Sequence, residues 1–327
     1  MLHRRTLLGA TALLATPLAT SLATPALAQA PYPNRPLRLI ISYPPGGVTD
    51  IVGRILAEPL GQRLGQPVVV ENRAGAGGNI GAQAASAAEP DGYTLLVGTA
   101  AMFGVNPLLY AQSGVDLVRD FTLLGTINDM ANVLSVNPKR LDVSSVAELV
   151  ARARRGGLIY GSVGNGSSSH LCATLLQRLA GFEATHVPYR GSSPAVAAML
   201  AEEVDFLFDT TATSTPQIQA GSFRALGVST PTRASALPEV PTIAEAGVEG
   251  YAVSVWNTLL VHKKAQAPVV AKLREAFGQA MDAPTQAKLR ASFVDPLLVP
   301  PAELDAWLRK EQSTWLRMAR DARIAID

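Results

Sequence analysis

Leu37-Arg38-Leu39-Ile40-Ile41-Ser42-Tyr43 is followed at once by Pro44-Pro45-Gly46-Gly47, and then by Val52, Leu56, Leu60 and Leu64 at four-residue intervals. The first run reads as a strand, the second as a break, and the third as a helix with one apolar face. Pro59 lies inside the helical pattern and is expected to kink it. The same order repeats: a strand over 67–71, the glycine loop Gly75-Ala76-Gly77-Gly78, a small-residue helix over 80–88, the turn Pro90-Asp91-Gly92 and a strand over 93–97. Strand, glycine loop and helix repeated in this way predict βαβ units and a mostly parallel sheet.

The pattern restarts further on. A strand over 158–162 leads into Gly164-Asn165-Gly166-Ser167-Ser168-Ser169 and a helix carrying Leu171, Leu175, Leu176 and Leu179. A strand over 185–187 leads into Tyr189-Arg190-Gly191-Ser192-Ser193-Pro194 and another helix, with further strands over 204–208 and 225–228. Residues 121–136 read as extended, suited to carrying the chain from one lobe to another. After Thr242 the reading turns helical, over 269–281, 287–293 and 302–322. The expected architecture is α/β, with two lobes that each hold a mostly parallel sheet flanked by helices and a ligand cleft between them. Lobe I takes 31–131 plus 230–327, and lobe II takes 132–229.

Residues 1–30 stand apart. They contain no acid, begin with His3-Arg4-Arg5, continue as an apolar run interrupted by Pro17 and Pro25, and end in Ala26-Leu27-Ala28 and Ala28-Gln29-Ala30. This is the pattern of a cleaved signal peptide; the prolines and small residues argue against a membrane anchor. The arginine pair partly resembles a twin-arginine signal, and Sec export stays open beside it. Removing the segment takes away two arginines and leaves zero formal charge, so no basic footprint points to nucleic acid. The mature protein is expected to be soluble in the periplasm and monomeric. Cys172, the only cysteine, cannot form an internal disulfide or a cysteine-rich metal site.

Enzyme and cofactor motifs are largely missing. There is no Gly-x-Ser-x-Gly elbow and no phosphate-binding Gly-x-x-x-x-Gly-Lys-Ser/Thr. The run from Gly75 to Ile80 has Ile80 where a dinucleotide fingerprint needs its third glycine, so no cofactor is expected. His170, His186 and His262 lack metal-ligand spacing. His170 reads as a helix-start residue that caps or hydrogen-bonds into the cleft. The informative feature is four loops that each join a strand to a helix, because a helix start presents unpaired N–H groups and partial positive charge to an anion. Asp50 reads equally as a helix cap or as a residue that orients a ligand. Tyr43, Tyr189 and Asp209 lie at or just past strand ends. Leu304, Trp307, Leu308, Trp315 and Met318 form a packing stripe.

The segments Tyr43 to Asp50, Val68-Val69-Val70-Glu71-Asn72, Gly75 to Gly81, Pro90-Asp91-Gly92-Tyr93-Thr94-Leu95, Gly164 to Leu171, His186-Val187-Pro188-Tyr189-Arg190-Gly191 and Leu237-Pro238-Glu239-Val240-Pro241-Thr242 occur in one order along the chain. In these the sequence resembles the solute receptors of tripartite tricarboxylate transporters, the Bug family. The resemblance implies a periplasmic binding protein, not an enzyme, that closes on a small carboxylate and delivers it to a membrane permease. It implies ligand contacts in lobe I from Tyr43, Pro44, Gly46, Gly47, Thr49, Asp50, Ala76, Gly77, Gly78 and Asn79. In lobe II it implies contacts from Ser162, Asn165, Ser167, Ser168, His170, Tyr189 and Asp209. The run from Asn257 to Lys264 departs from the family's usual residues after the tryptophan at 256, which bears on the loop near the C-terminal block of lobe I more than on the ligand site. Competing readings are a sensory module docking on a membrane kinase and a secreted enzyme using His170 and Asp209.

Overall fold

The computed structural model describes residues 32–325; the predicted export signal lies outside them. The first block folds as β1 (Leu37–Ile41), α1 (Val48–Leu64), β2 (Val68–Asn72), α2 (Asn79–Ser86) and β3 (Thr94–Thr99). Three short helices follow that the sequence reading did not anticipate: α3 (Ala100–Gly104), α4 (Asn106–Leu109) and α5 (Leu117–Asp120). The extended stretch is two strands, β4 (Phe121–Met130) and β5 (Asn132–Val136). Then come α6 (Val146–Ala153), β6 (Ile159–Ser162), α7 (Ser168–Ala180), β7 (Thr185–Pro188), α8 (Ser192–Leu200), β8 (Phe206–Thr210), α9 (Thr211–Gln219) and β9 (Arg224–Val228). The final part is β10 (Val255–His262), α10 (Ala267–Ala280), α11 (Ala283–Ala291), β11 (Asp295–Pro296) and α12 (Leu304–Asp321).

Two sheets organise these elements. The first has the order β11-β4-β10-β3-β1-β2, the second β7-β6-β8-β5-β9. In the first, β1 is parallel to β2 and β3, while β10 runs antiparallel to both β3 and β4. In the second, β6 is parallel to β7 and β8, and β5 runs antiparallel to β8 and β9. Each sheet is therefore mostly parallel: in the first, β10 and the short edge strand β11 are reversed, and in the second only β5 is. Leu37, Leu39, Ile40 and Ile41 of β1 are fully buried because helices cover both faces of the sheet.

One expectation needs correction. The region after Thr242 is not wholly helical: residues 255–262, most of which fall in the run that departs from the family pattern, form β10 inside the first sheet. Seven of its eight residues are buried, and Thr258 and Leu259 pair with Gly98 and Val97 on one side and with Thr126 and Gly125 on the other. The helix α1 runs through Pro59 to a left-handed Gly65. A proline costs one helical hydrogen bond, and the buried Val52, Leu56 and Leu60 on this helix's core face outweigh that loss.

Only Ala131 separates β4 of the first sheet from β5 of the second. The return crossing lies beside it. The Asn132 N–H donates to Ser229 Oγ at 2.9 Å, and Ser229 Oγ donates to the Val253 carbonyl at 2.7 Å. Backbone bonds from Ser229 N–H to the Asn132 carbonyl and from Val253 N–H to the Ser229 carbonyl complete the crossing.

Candidate functional site

The carboxyl ends of strands from both sheets face one cavity. Its wall takes Tyr43, Pro44, Gly47, Val48 and Thr49 from the loop after β1 and the start of α1, and Thr99 and Ala101 from the end of β3. Ser167, Ser168, Gly191, Ser192, Asp209 and Thr210 come from the loops of the second sheet. Met130, Val255 and Asn257 come from the strands that lie next to the crossings. The starts of α1, α7, α8 and α9 thus meet on one space: Gly47, Ser167, Gly191 and Thr210 are their cap residues. Helix starts carry unpaired N–H groups and partial positive charge, so four of them around one cavity make an anion-binding environment. Among the described residues on this wall there is no lysine, arginine or histidine.

The loops of the two sheets touch across the cavity mouth. Gly191, at φ +106°, stands so near Pro44 that a Cβ on it would lie 3.1 Å from Pro44 Cγ. A Cβ on Gly46 would lie 3.0 Å from Ser193 Oγ, and Tyr110 Oη donates to the Asn165 carbonyl at 3.4 Å. The cleft is closed.

Of the residues singled out in the sequence, Tyr43, Pro44, Gly47, Thr49, Ser167, Ser168 and Asp209 line the cavity. Asp50 sits behind it. Its carboxylate accepts from the Gly46 N–H (3.1 Å), from Arg54 and from Asn72 Nδ2 (2.9 Å), so it braces the loop that carries Gly46 and Gly47. Burial pushes its pKa up, but Arg54, Asn72 and the Gly46 N–H outweigh burial and hold it below the ordinary value. The second glycine loop is also set back. Ala76, Gly77, Gly78 and Asn79 do not reach this wall; the Gly77 carbonyl accepts from Tyr43 Oη at 3.2 Å and from Asn106 Nδ2 at 2.9 Å. Asn79 accepts from Asn106 and lines a neighbouring cavity.

The remaining candidates support the serine loop from behind. Ser162 Oγ accepts the Gly164 N–H and lies 2.7 Å from His186 Nε2, and Ser169 Oγ accepts the Val163 N–H. His170 is not the cap, which is Ser167; its Nδ1 accepts the Gly166 N–H at 3.2 Å, and its ring stacks on His186 at 4.2 Å. Asn165 contributes its carbonyl to the closure contact, and Tyr189 Oη bonds Glu203 at 3.4 Å. Arg190 is exposed and off the wall.

Sequence reasoning missed Thr99, Met130, Ser192, Thr210, Val255 and Asn257. The last two were hidden with β10. Ser192 and Thr210 carried a usable signal, since each sits where a strand-end loop enters a helix.

Asp209 differs from its neighbours. It is 1% exposed, and its Oδ1 accepts from Ser192 Oγ at 3.1 Å and from the Thr210 N–H at 2.8 Å. Burial pushes its pKa up to about 6, against the opposing effect of the Thr210 N–H and the Thr213 and Ser192 hydroxyls.

Two mixed α/β sheets joined at adjacent crossings, with facing strand ends closed over an anion-suited cavity, define a two-lobed periplasmic solute-binding protein. Comparison with known proteins narrows the class. The family model described as tripartite tricarboxylate transporter family receptor matches residues 52–318, and the chain belongs to that family of transport receptors, which is not a family of enzymes. Protein BugT of Bordetella pertussis is 32% identical over 294 residues, covering 89% of this chain and 90% of BugT. Among solved structures, Rpa4515 of R. palustris with adipate matches with a TM-score of 0.84 and 34% identity, covering 90% of this chain and all of that one. MatC of Rhodopseudomonas palustris with bound malate matches with a TM-score of 0.81 and 29% identity, covering 88% and 99%.

Proposed function

We propose that this receptor binds a small carboxylate in the closed cavity and delivers it to the membrane permease of a tripartite transporter. The observation that carries the reading is the meeting of four helix starts on a wall without a basic side chain. The ligand anion is held by N–H groups and hydroxyls: those at Gly47 to Thr49 and Thr99 on one side, and at Ser167, Ser168, Ser192 and Thr210 on the other. Asp50, Asn79, Ser162, His170 and Tyr189 act at one remove, by fixing the loops. The adipate- and malate-bound relatives support a carboxylate ligand. Lobe I comprises 31–131 and 230–327, lobe II comprises 132–229, and residues 1–30 are removed on export to the periplasm, where the protein works as a monomer without a cofactor.

Thermal denaturation with adipate, malate and other small carboxylates tests this. A ligand at a hundredfold excess over its Kd adds about 2.7 kcal/mol of stability, which moves the midpoint by several degrees. Unchanged midpoints across mono-, di- and tricarboxylates at millimolar concentration overturn the reading.

A further inference from the structure

The two oxygens of Asp209 meet different surroundings. Oδ1 is paired with Ser192 and Thr210, whereas Oδ2 is buried without a hydrogen-bond partner and belongs to a residue on the cavity wall. Both groups on Oδ1 are electrically neutral, and among the described wall residues no cation offsets the carboxylate. Thr99, also on the wall, carries a second buried hydroxyl without a partner. A buried carboxylate is tolerated when a counter-charge and hydrogen donors complete it. Here the fold supplies donors to Oδ1 and leaves Oδ2 buried without one, on a residue of the cavity wall.

We infer that the ligand brings an ammonium group to Asp209, so that the cavity prefers aminocarboxylates to carboxylates of the same skeleton without the amine. This rests on the carboxylate reading and narrows it. The ligand carboxylate takes the N–H groups at the helix starts and the Thr99 hydroxyl; the ammonium donates to Asp209 Oδ2 and neutralises it. A second carboxylate in that position sets two like charges together, and one of the pair must take up a proton for the complex to form. Tyr43 is the other titratable group on the wall, and burial pushes its phenol up, so it stays neutral and does not share that proton.

Calorimetry at pH 7.5 with matched probes decides the matter: 5-aminopentanoate against adipate, which share four methylenes, and glutamate against glutarate. The ammonium-bearing member of at least one pair binds tenfold or more tighter, and Asp209→Asn abolishes or reverses that preference. The wild-type protein provides a second readout that needs no variant. Titrations in buffers of different ionisation enthalpy register uptake of about one proton with adipate and none with 5-aminopentanoate. Equal affinities within both pairs, with no proton uptake on adipate binding, overturn the inference and leave the receptor reading intact. Failure of all four probes, and of malate, to bind overturns both.

Discussion

At the scale of single residues, Asp209 sets ligand binding against stability. Its pKa is raised to about 6, so the folded state holds this proton more tightly than the unfolded chain does. Ionisation therefore destabilises the empty protein above about pH 6, and the penalty disappears as pH falls below the unfolded value near 4. The rise corresponds to about 3 kcal/mol. Asp209→Asn is expected to exceed the wild type by up to about that amount at pH 8 and to match it near pH 4, by chemical denaturation. Asp129, pushed to about 6 by burial and by Glu311 and Asp295, is common to both proteins and cancels in the difference. A stability gap that does not change with pH would refute the assignment. A second expectation concerns the anion. Gly47 has φ −85°, which any residue adopts, and a Cβ there meets Ser192 Oγ at 3.7 Å, on the edge of the cavity. Gly47→Val should weaken carboxylate binding at least tenfold, about 1.4 kcal/mol, while the protein still folds. Arg190→Ala should change binding less than twofold. The reverse ranking would mean that a cation, not the helix start, holds the acid. The sequence placed glycine at 47 and 78 alike, yet Gly78 sits at φ +98° with Met102 Sδ 2.8 Å from its missing Cβ. Only the folded backbone distinguishes the two, because the sign of φ leaves no mark on the residue type.

Among elements, those that alternate locally were legible and those assembled from a distance were not. The strands β1, β2 and β6 each precede a glycine loop and a helix, so their identity follows from neighbours in sequence. The strand β10 has no such neighbours. Val255–His262 is preceded by a long connection and followed by Lys263-Lys264, and its partners β3 and β4 lie more than a hundred residues earlier. Its burial on both faces erases the alternation by which a half-exposed strand is recognised. The site was legible to the same extent. The loops after β1 and β6 were found, whereas the part of the wall that comes from Val255 and Asn257 was not. At the crossings, Ser229 links β5 to the segment that leads into β10. Ser229→Ala leaves the Asn132 N–H and the Val253 carbonyl without that hydroxyl, at a cost of about 1–3 kcal/mol. Urea denaturation of the variant measures this; an unchanged midpoint would show that the hydroxyl contributes nothing to the joint.

For the molecule as a whole, closure is a property of contacts between loops: Pro44 against Gly191, Gly46 near Ser193, and Tyr110 on Asn165. Opening parts these small contacts about the crossings at Ala131 and Ser229, while Tyr251 Oη on the Cys172 carbonyl and Thr211 Oγ1 on the Phe293 carbonyl also join the two halves. X-ray scattering of the free protein is expected to give a larger radius of gyration than the complex with a stabilising carboxylate. Equal radii would mean a cavity that is formed before the ligand arrives. The position of β10 also imposes an order of assembly. A chain that emerges from its N-terminus onward delivers β3 and β4 early, but these strands do not pair with each other; the gap between them is filled by residues 255–262. The second sheet needs only β5–β9, which are contiguous in sequence, so every partner is present before β10 appears. Contacts of short sequence separation form faster than those that close long loops. During refolding followed by pulsed hydrogen exchange, amides of β5, β6 and β8 should gain protection before those of β3 and β4. Until residue 262 arrives, the larger half of this receptor remains an open-edged intermediate, exposed to proteases and to edge pairing with other chains, and the last fifth of its synthesis determines whether the earlier part survives.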